Sequence, residues 1–230
     1  MKKFLTILIL GVLLSCGELA QADDITFTSS GTIDRPQVWG HVNVQNNGTV
    51  VNMFGGQVGN LNMYNASTFN MSGGQIEGFI HTSNSSTFNL SGGTIETTGF
   101  EFDGNVNISG GNMTGAGKFA NFPAGGCVVN ITGGNLNFYS LMPYGELNIY
   151  GGLLNIGNFG WGGGTTDIFG YGFNYDPVGQ VLTGYLSDHN QFTINQLSSF
   201  EYQHINLIPE PASLCFLALG GLFLRRNCKK

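Results

Sequence analysis

Phe69-Asn70-Met71-Ser72-Gly73-Gly74-Gln75-Ile76 decides the fold, because its pattern of apolar, Asn, apolar, variable, Gly-Gly, any residue, apolar recurs along the chain. The copies start at Val51, Phe69, Phe88, Val106, Val129 and Leu147, so successive spacings are 18, 19, 18, 23 and 18 residues. A near-constant period of this size marks a stacked repeat architecture. Within each copy the first two apolar residues stand two apart, as Phe69 and Met71 do, which is strand periodicity. Gly-Gly then breaks the strand by adopting backbone angles that other residues avoid. The next apolar residue (Val58, Ile76, Ile95, Met113, Leu136 or Leu154) re-enters the core, so the chain turns a corner there.

The rest of each period is rich in Asn, Ser, Thr and Gly, with weaker apolar pairs such as Leu61 and Met63 or Phe100 and Phe102. These suffice for one or two more short strands, so each repeat is one coil. Strands this short cannot bury a face alone; coils must stack, pairing each strand with its equivalent one rung away at about 4.8 Å. The expected fold is therefore all-β, a parallel β-solenoid (β-helix) of about six to seven coils. A looser first rung, Thr32 to Gly48 with Val42-Asn43-Val44, precedes the six regular ones. Seven rungs make a stack roughly 30 Å tall.

The Asn between the paired apolar residues is present in every copy: Asn52, Asn70, Asn89, Asn107, Asn130 and Asn148. Stacking aligns these six in a row, where amide side chains one rung apart can hydrogen-bond into a ladder. Glycosylation is the rival reading. Asn-x-Ser/Thr occurs at Asn70, Asn89, Asn107 and Asn130 within the repeats, and at Asn47, Asn65, Asn84 and Asn112 outside that column.

After Phe159 the pattern dissolves into glycine alternating with aromatics: Phe159, Trp161, Phe169, Tyr171, Phe173 and Tyr175. Because an open solenoid end would recruit another chain, residues 165–207 are expected to form an irregular β C-terminal cap. The aromatic cluster could alternatively stack on sugar rings. The expected division is residues 1–22 a signal peptide, 23–164 the solenoid, 165–207 the cap and 208–230 a sorting tail.

Both termini read as targeting segments. Met1, Lys2 and Lys3 precede an apolar run from Phe4 to Leu14, and Ala20-Gln21-Ala22 offers a small-x-small cleavage site. The run is well short of the roughly 20 residues a spanning helix needs. Leu13-Leu14-Ser15-Cys16 resembles a lipobox and leaves cleavage before Cys16 open. At the far end, Pro209-Glu210-Pro211 leads into an apolar stretch from Ala212 to Leu224 and then Arg225, Arg226, Lys229 and Lys230. The basic residues place that terminus on the cytoplasmic side.

Pro209-Glu210-Pro211-Ala212-Ser213-Leu214, with Gly220-Gly221 and Leu224-Arg225-Arg226, resembles the PEP-CTERM sorting signal. The resemblance implies a Gram-negative, exopolysaccharide-making bacterium. It also implies a membrane-embedded exosortase as processing partner, transient inner-membrane anchoring through the tail, and delivery to the cell surface or extracellular matrix. Cys228 and the short apolar run depart from the family pattern.

Between Asp23 and Ile208 only Arg35 and Lys118 are cationic, against twelve carboxylates, a formal charge of −10. Two cations cannot neutralise a phosphate backbone, so nucleic-acid binding is excluded. Cys127 is the one cysteine in this span, which excludes an internal disulfide there and suits a small buried apolar side chain.

The chemistry of known β-helix enzymes finds little support. Arg35 and Lys118 are too far apart in sequence for a lyase base with its cationic partner. Glycoside hydrolysis needs two carboxylates about 5 to 10 Å apart, for which Glu77 and Glu96, at equivalent repeat positions, are the candidates. A solvated rim pair is the simpler reading of these two. His41, His81, His189 and His204 lack metal-ligand spacing, and the repeat lacks the Gly-x-Asp of calcium-binding nonapeptides. No cofactor or metal is expected. The expected role is a non-enzymatic surface or matrix protein, structural or adhesive and associated with exopolysaccharide. A carbohydrate-active enzyme, glycosidase or lyase, and a self-associating fibre module are the alternatives.

Overall fold

A computed structural model describes residues 22–83, 85–119 and 126–210, and the architecture is a parallel β-solenoid of three strand columns per turn. The first column stacks Gly31–Ile33, Val50–Met53, Thr68–Met71, Thr87–Leu90 and Asn105–Ile108, then the beginnings of Val128–Pro143, Glu146–Ile156 and Thr165–Asp176. Its register runs Val51, Phe69, Phe88, Val106, Val129, Leu147, one residue per rung. Those are the first apolar residues of the six repeats, so the sequence period and the rung coincide.

The second column follows the Gly-Gly corner and aligns Trp39, Val58, Ile76, Ile95, Met113, Leu136, Leu154 and Phe192. The third aligns Ile25, Val42, Leu61, Ile80, Phe100, Gly117 and Leu141, with Phe159 bridged to Leu141. Val42-Asn43-Val44 thus lies in the third column, and the first-column strand of that turn is Gly31–Ile33. All three columns point apolar side chains inward, giving one continuous core from Ile33 to Ile205. Aromatic rings stack in the same interior: Phe88 lies over Phe69 at 6.0 Å and packs against Phe102 of its own coil at 5.7 Å. Gly117 occupies the place where a side chain would collide with the Phe100 ring.

The double glycine answers two separate demands. In every repeat the second glycine has positive φ, from 75° at Gly56 to 102° at Gly152, a region side chains other than glycine rarely adopt. The first glycine lies against the rung below; a Cβ on Gly133 would meet the Ser109 carbonyl oxygen at 2.6 Å. One glycine makes the turn and the other lets turns stack.

Parallel stacking continues beyond residue 164. Thr165–Asp176 begins on the first column, with Thr166 over Leu147, and then departs as an antiparallel hairpin with Val181–Leu186. Gln191–Ile194 returns to the second column above Leu154, its other edge covered by the hairpin. A one-turn helix, Ser199–Tyr202, starts with a capping box between Ser198 and Glu201. Ile205–Pro209 then adds the last rung of the first column, above residues 166–170.

Candidate functional site

The six repeat asparagines form a single directional ladder. Each Nδ2 donates to the Oδ1 one rung below: Asn70 to Asn52 at 2.8 Å, Asn89 to Asn70 at 2.8 Å, Asn107 to Asn89 at 2.9 Å, Asn130 to Asn107 at 3.2 Å and Asn148 to Asn130 at 3.3 Å. Inward neighbours hold the backbone in register, and the amides close the remaining gap between rungs. Asn70, Asn89, Asn107 and Asn130 therefore carry their glycosylation-type amides inside this hydrogen-bonded row.

The column is longer than the repeat pattern. Below Asn52 stands Thr32; above Asn148 come Asp167 and Asn206, whose Nδ2 donates to Asp167 Oδ1 at 2.7 Å. Asn148 also donates to Glu146 Oε1 at 2.7 Å. Two shorter ladders went unread in the sequence: Asn62 to Asn43 at 3.1 Å, and Asn195 to Asn155 to Asn137 at 3.3 and 2.8 Å. The available signal was the same apolar-Asn-apolar triplet, present in Val42-Asn43-Val44, Leu61-Asn62-Met63 and Leu154-Asn155-Ile156 without a following Gly-Gly.

Glu77 and Glu96 follow Ile76 and Ile95, which pair across adjacent rungs of the second column, and both carboxylates are exposed on its outer surface. Glu96 pairs in turn with Thr114, so the acidic run stops after two residues. Arg35 lies at the corner of the lowest turn and Lys118 in the third column beside Glu101, on separate parts of the stack.

His41 donates or accepts through both ring nitrogens, with Nδ1 2.8 Å from Asp24 Oδ1 and Nε2 2.9 Å from Asn60 Nδ2. The ring is thus held between a carboxylate at Nδ1 and a side-chain amide at Nε2. The His41 side-chain and backbone hydrogen bonds hold the Asp24 carboxyl below its ordinary value. His189 meets the Tyr171 hydroxyl at 3.0 Å, whereas its neighbour Asp188 turns the other way and accepts the backbone N–H of Gly152. Asp188 is thereby a clamp fixing the cap to the topmost Gly-Gly corner.

Asp103 sits low on the solvent scale, with its Oδ2 4.0 Å from His81 Nε2 and its Oδ1 buried without a hydrogen-bond partner. Burial, reinforced by the charge of Glu101, pushes its carboxyl above the ordinary carboxylate value. Cys127 is fully buried, and burial followed by the Asp103 charge pushes its thiol up to about 12. A thiol so placed stays protonated and unreactive at neutral pH. Among the described residues no group of three His, Cys, Asp or Glu side chains converges in a metal-binding arrangement, and no helix is long and apolar enough to cross a membrane.

The cap aromatics are engaged with one another. Phe159 is buried, Phe169 stacks on Tyr150 at 4.3 Å, Tyr171 on Tyr185 at 5.3 Å, Tyr175 on Tyr202 at 4.0 Å, and Trp161 on His204 at 3.9 Å. Phe173 meets Phe192 edge-on at 6.2 Å. Of the sorting motif, Pro209 ends the last strand opposite Gly170, and the Glu210 N–H donates to the Gly170 carbonyl at 2.9 Å. Pro211, Arg225 and Arg226 lie outside the described residues, as do residues 1–21.

Compared with known protein families, with curated proteins and with solved structures, the chain has no match in any of the three. Its functional reading therefore rests on its own residues and geometry.

Proposed function

We propose that this chain is an exported, non-enzymatic protein of the cell surface or extracellular matrix, a stiff acidic spacer that works among exopolysaccharide chains. Its partners on this reading are the exosortase that processes the tail and the polysaccharide around it, with transient membrane anchoring before processing. The observation that carries the reading is the use to which the outer polar side chains are put. Six asparagines that could face a substrate instead bond to one another along the axis, an arrangement that favours rigidity over chemistry. The carboxylates Glu77 and Glu96 are exposed to solvent on the outer surface of the second column, where water reaches both.

The tail supports the export half of the proposal. Pro209 is still part of the last rung and Glu210 is exposed, so the tripeptide begins at the rim of the folded stack. Deleting residues 211–230, which leaves that rung intact, should move the protein from the surface and matrix fraction to the periplasm or growth medium. Unchanged surface display in fractionated cells would defeat the sorting proposal. Release of reducing ends or unsaturated sugars from polysaccharide by the purified full chain would defeat the non-enzymatic one.

A further inference from the structure

The outer surface of the second column changes character halfway up. Its lower rungs carry Glu77 and Glu96; above them the same outward line continues as Thr114, Asn137, Asn155 and Thr193, one residue per rung. Beside this line runs a second one, Thr94, Asn112, Asn135 and Leu153. The upper parts of the two lines enclose an open groove of about 580 Å³, closed above by Gln191 and Thr193 of the cap. Spanning four rungs, it is roughly 14 Å long, the size of a short oligosaccharide.

Three properties of this groove bear on what it could hold. It contains no charged side chain, on a molecule with ten more carboxylates than cations between Asp23 and Ile208. Five of its polar side chains are also unengaged: among the described residues, Asn112, Thr114, Asn135, Gln191 and Thr193 make no side-chain hydrogen bond, whereas Asn137 and Asn155, which also line the groove, are bonded to each other and every asparagine of the first-column ladder makes at least one. Finally, Leu153 stands 53% exposed among these amides, at a position where the rungs below carry Asn135, Asn112 and Thr94. Leu153 therefore puts an aliphatic side chain into solvent within a line of amides.

We propose that this groove is a binding site for a neutral glycan lying along the solenoid axis. Amides and hydroxyls each both donate and accept, which matches the dual character of sugar hydroxyls. Leu153 offers an apolar contact to the C–H face of a pyranose ring, and the lack of charge avoids desolvating an ion without a counter-ion. A polyuronate would instead meet Glu77, Glu96 and the acidic field of the whole molecule. The proposal rests on the reading of the protein as polysaccharide-associated and assigns that association a place.

Affinity electrophoresis of the full-length chain tests it, in native gels cast with hydroxyethylcellulose, dextran or laminarin as neutral glucans and with polygalacturonate as the acidic counterpart. At least one neutral glucan should retard the protein and polygalacturonate should not. Leu153→Asp, and separately Asn135→Ala with Gln191→Ala, should weaken that retardation about tenfold or more, with circular dichroism and melting midpoint unchanged. Glu77→Gln should leave it as it was. Retardation that survives both groove variants, or that appears with polygalacturonate alone, would overturn the groove while leaving polysaccharide association standing. Absence of retardation in every gel would overturn both.

Discussion

Asn130 donates its side-chain amide to Asn107 at 3.2 Å across 23 residues of chain, whereas the other steps of the ladder span 18 or 19. The longer repeat therefore returns to the same register, with Val106 still paired to Val129 and Ile108 to Ile131. The added length does not shift the rung, because a one-residue slip would turn the apolar set outward.

Breaking the ladder in its middle should cost stability. Asn89 donates to Asn70 and accepts from Asn107, so Asn89→Ala removes two hydrogen bonds. It should lower unfolding free energy by about 1–3 kcal/mol. Asn89→Asp should cost more at pH 7 than at pH 3, since a carboxylate cannot donate to Asn70 and repels its carbonyl oxygen. Denaturant titration measures both, and an unmoved midpoint in both variants would mean that the amides are ornamental.

The Gly-Gly corner makes a sharper prediction. Gly93 has φ 86°, and a Cβ there would approach the Gly73 backbone carbon at 2.9 Å. Gly93→Ala should destabilise by more than the roughly 1–2 kcal/mol of left-handed backbone strain alone. Gly48→Ala, with φ 78° but open space around the added carbon, should cost only the strain. Equal losses at the two sites would show that close stacking at the corner plays no part.

Cys127 should resist alkylation in the native protein. With its thiol raised to about 12 and no exposed surface, iodoacetamide at pH 8 should leave it unmodified until denaturant is added. Peptide mapping by mass spectrometry reads this directly, and rapid native labelling would show that the Val128 end of the strand opens.

Asp103 supplies a pH dependence of definite sign. Its folded-state carboxyl lies above the ordinary value of 3.8, so in that window the native state binds more protons than the unfolded one. Its favourable contribution is complete below 3.8 and declines as pH rises through the folded value. Asp103→Asn should therefore raise the melting midpoint at pH 7 and change it little at pH 3. A variant less stable than the parent at pH 7 would reverse the assignment.

Much of this architecture could be read from spacing. The repeat apolar pairs set the first column, Gly-Gly located the corner and the intervening Asn marked the ladder, because one residue type at one rung position has one local environment. The third column was harder, since its partners vary in size: Gly117 is inward-facing only because Phe100 fills its space. The cap was unreadable in detail, as Val181–Leu186 alternates like any rung strand yet pairs antiparallel on both sides. The groove was hidden for another reason. Asn135 and Asn89 are the same residue type, yet Asn89 has Asn107 above it and is bonded, whereas Asn135 has Leu153 above it and is left free to meet a ligand.

Pro209 closes the uppermost strand, and that strand lies across the long axis of the molecule. Tension arriving through the tail would load the hydrogen bonds between Ile205–Pro209 and the strand beneath it along their own direction, a few at a time. The stack would come apart as a thread is drawn from knitting, coil after coil, and each freed coil would lengthen the tether before the next gave way. A protein held by that end would then yield under drag in steps and not all at once.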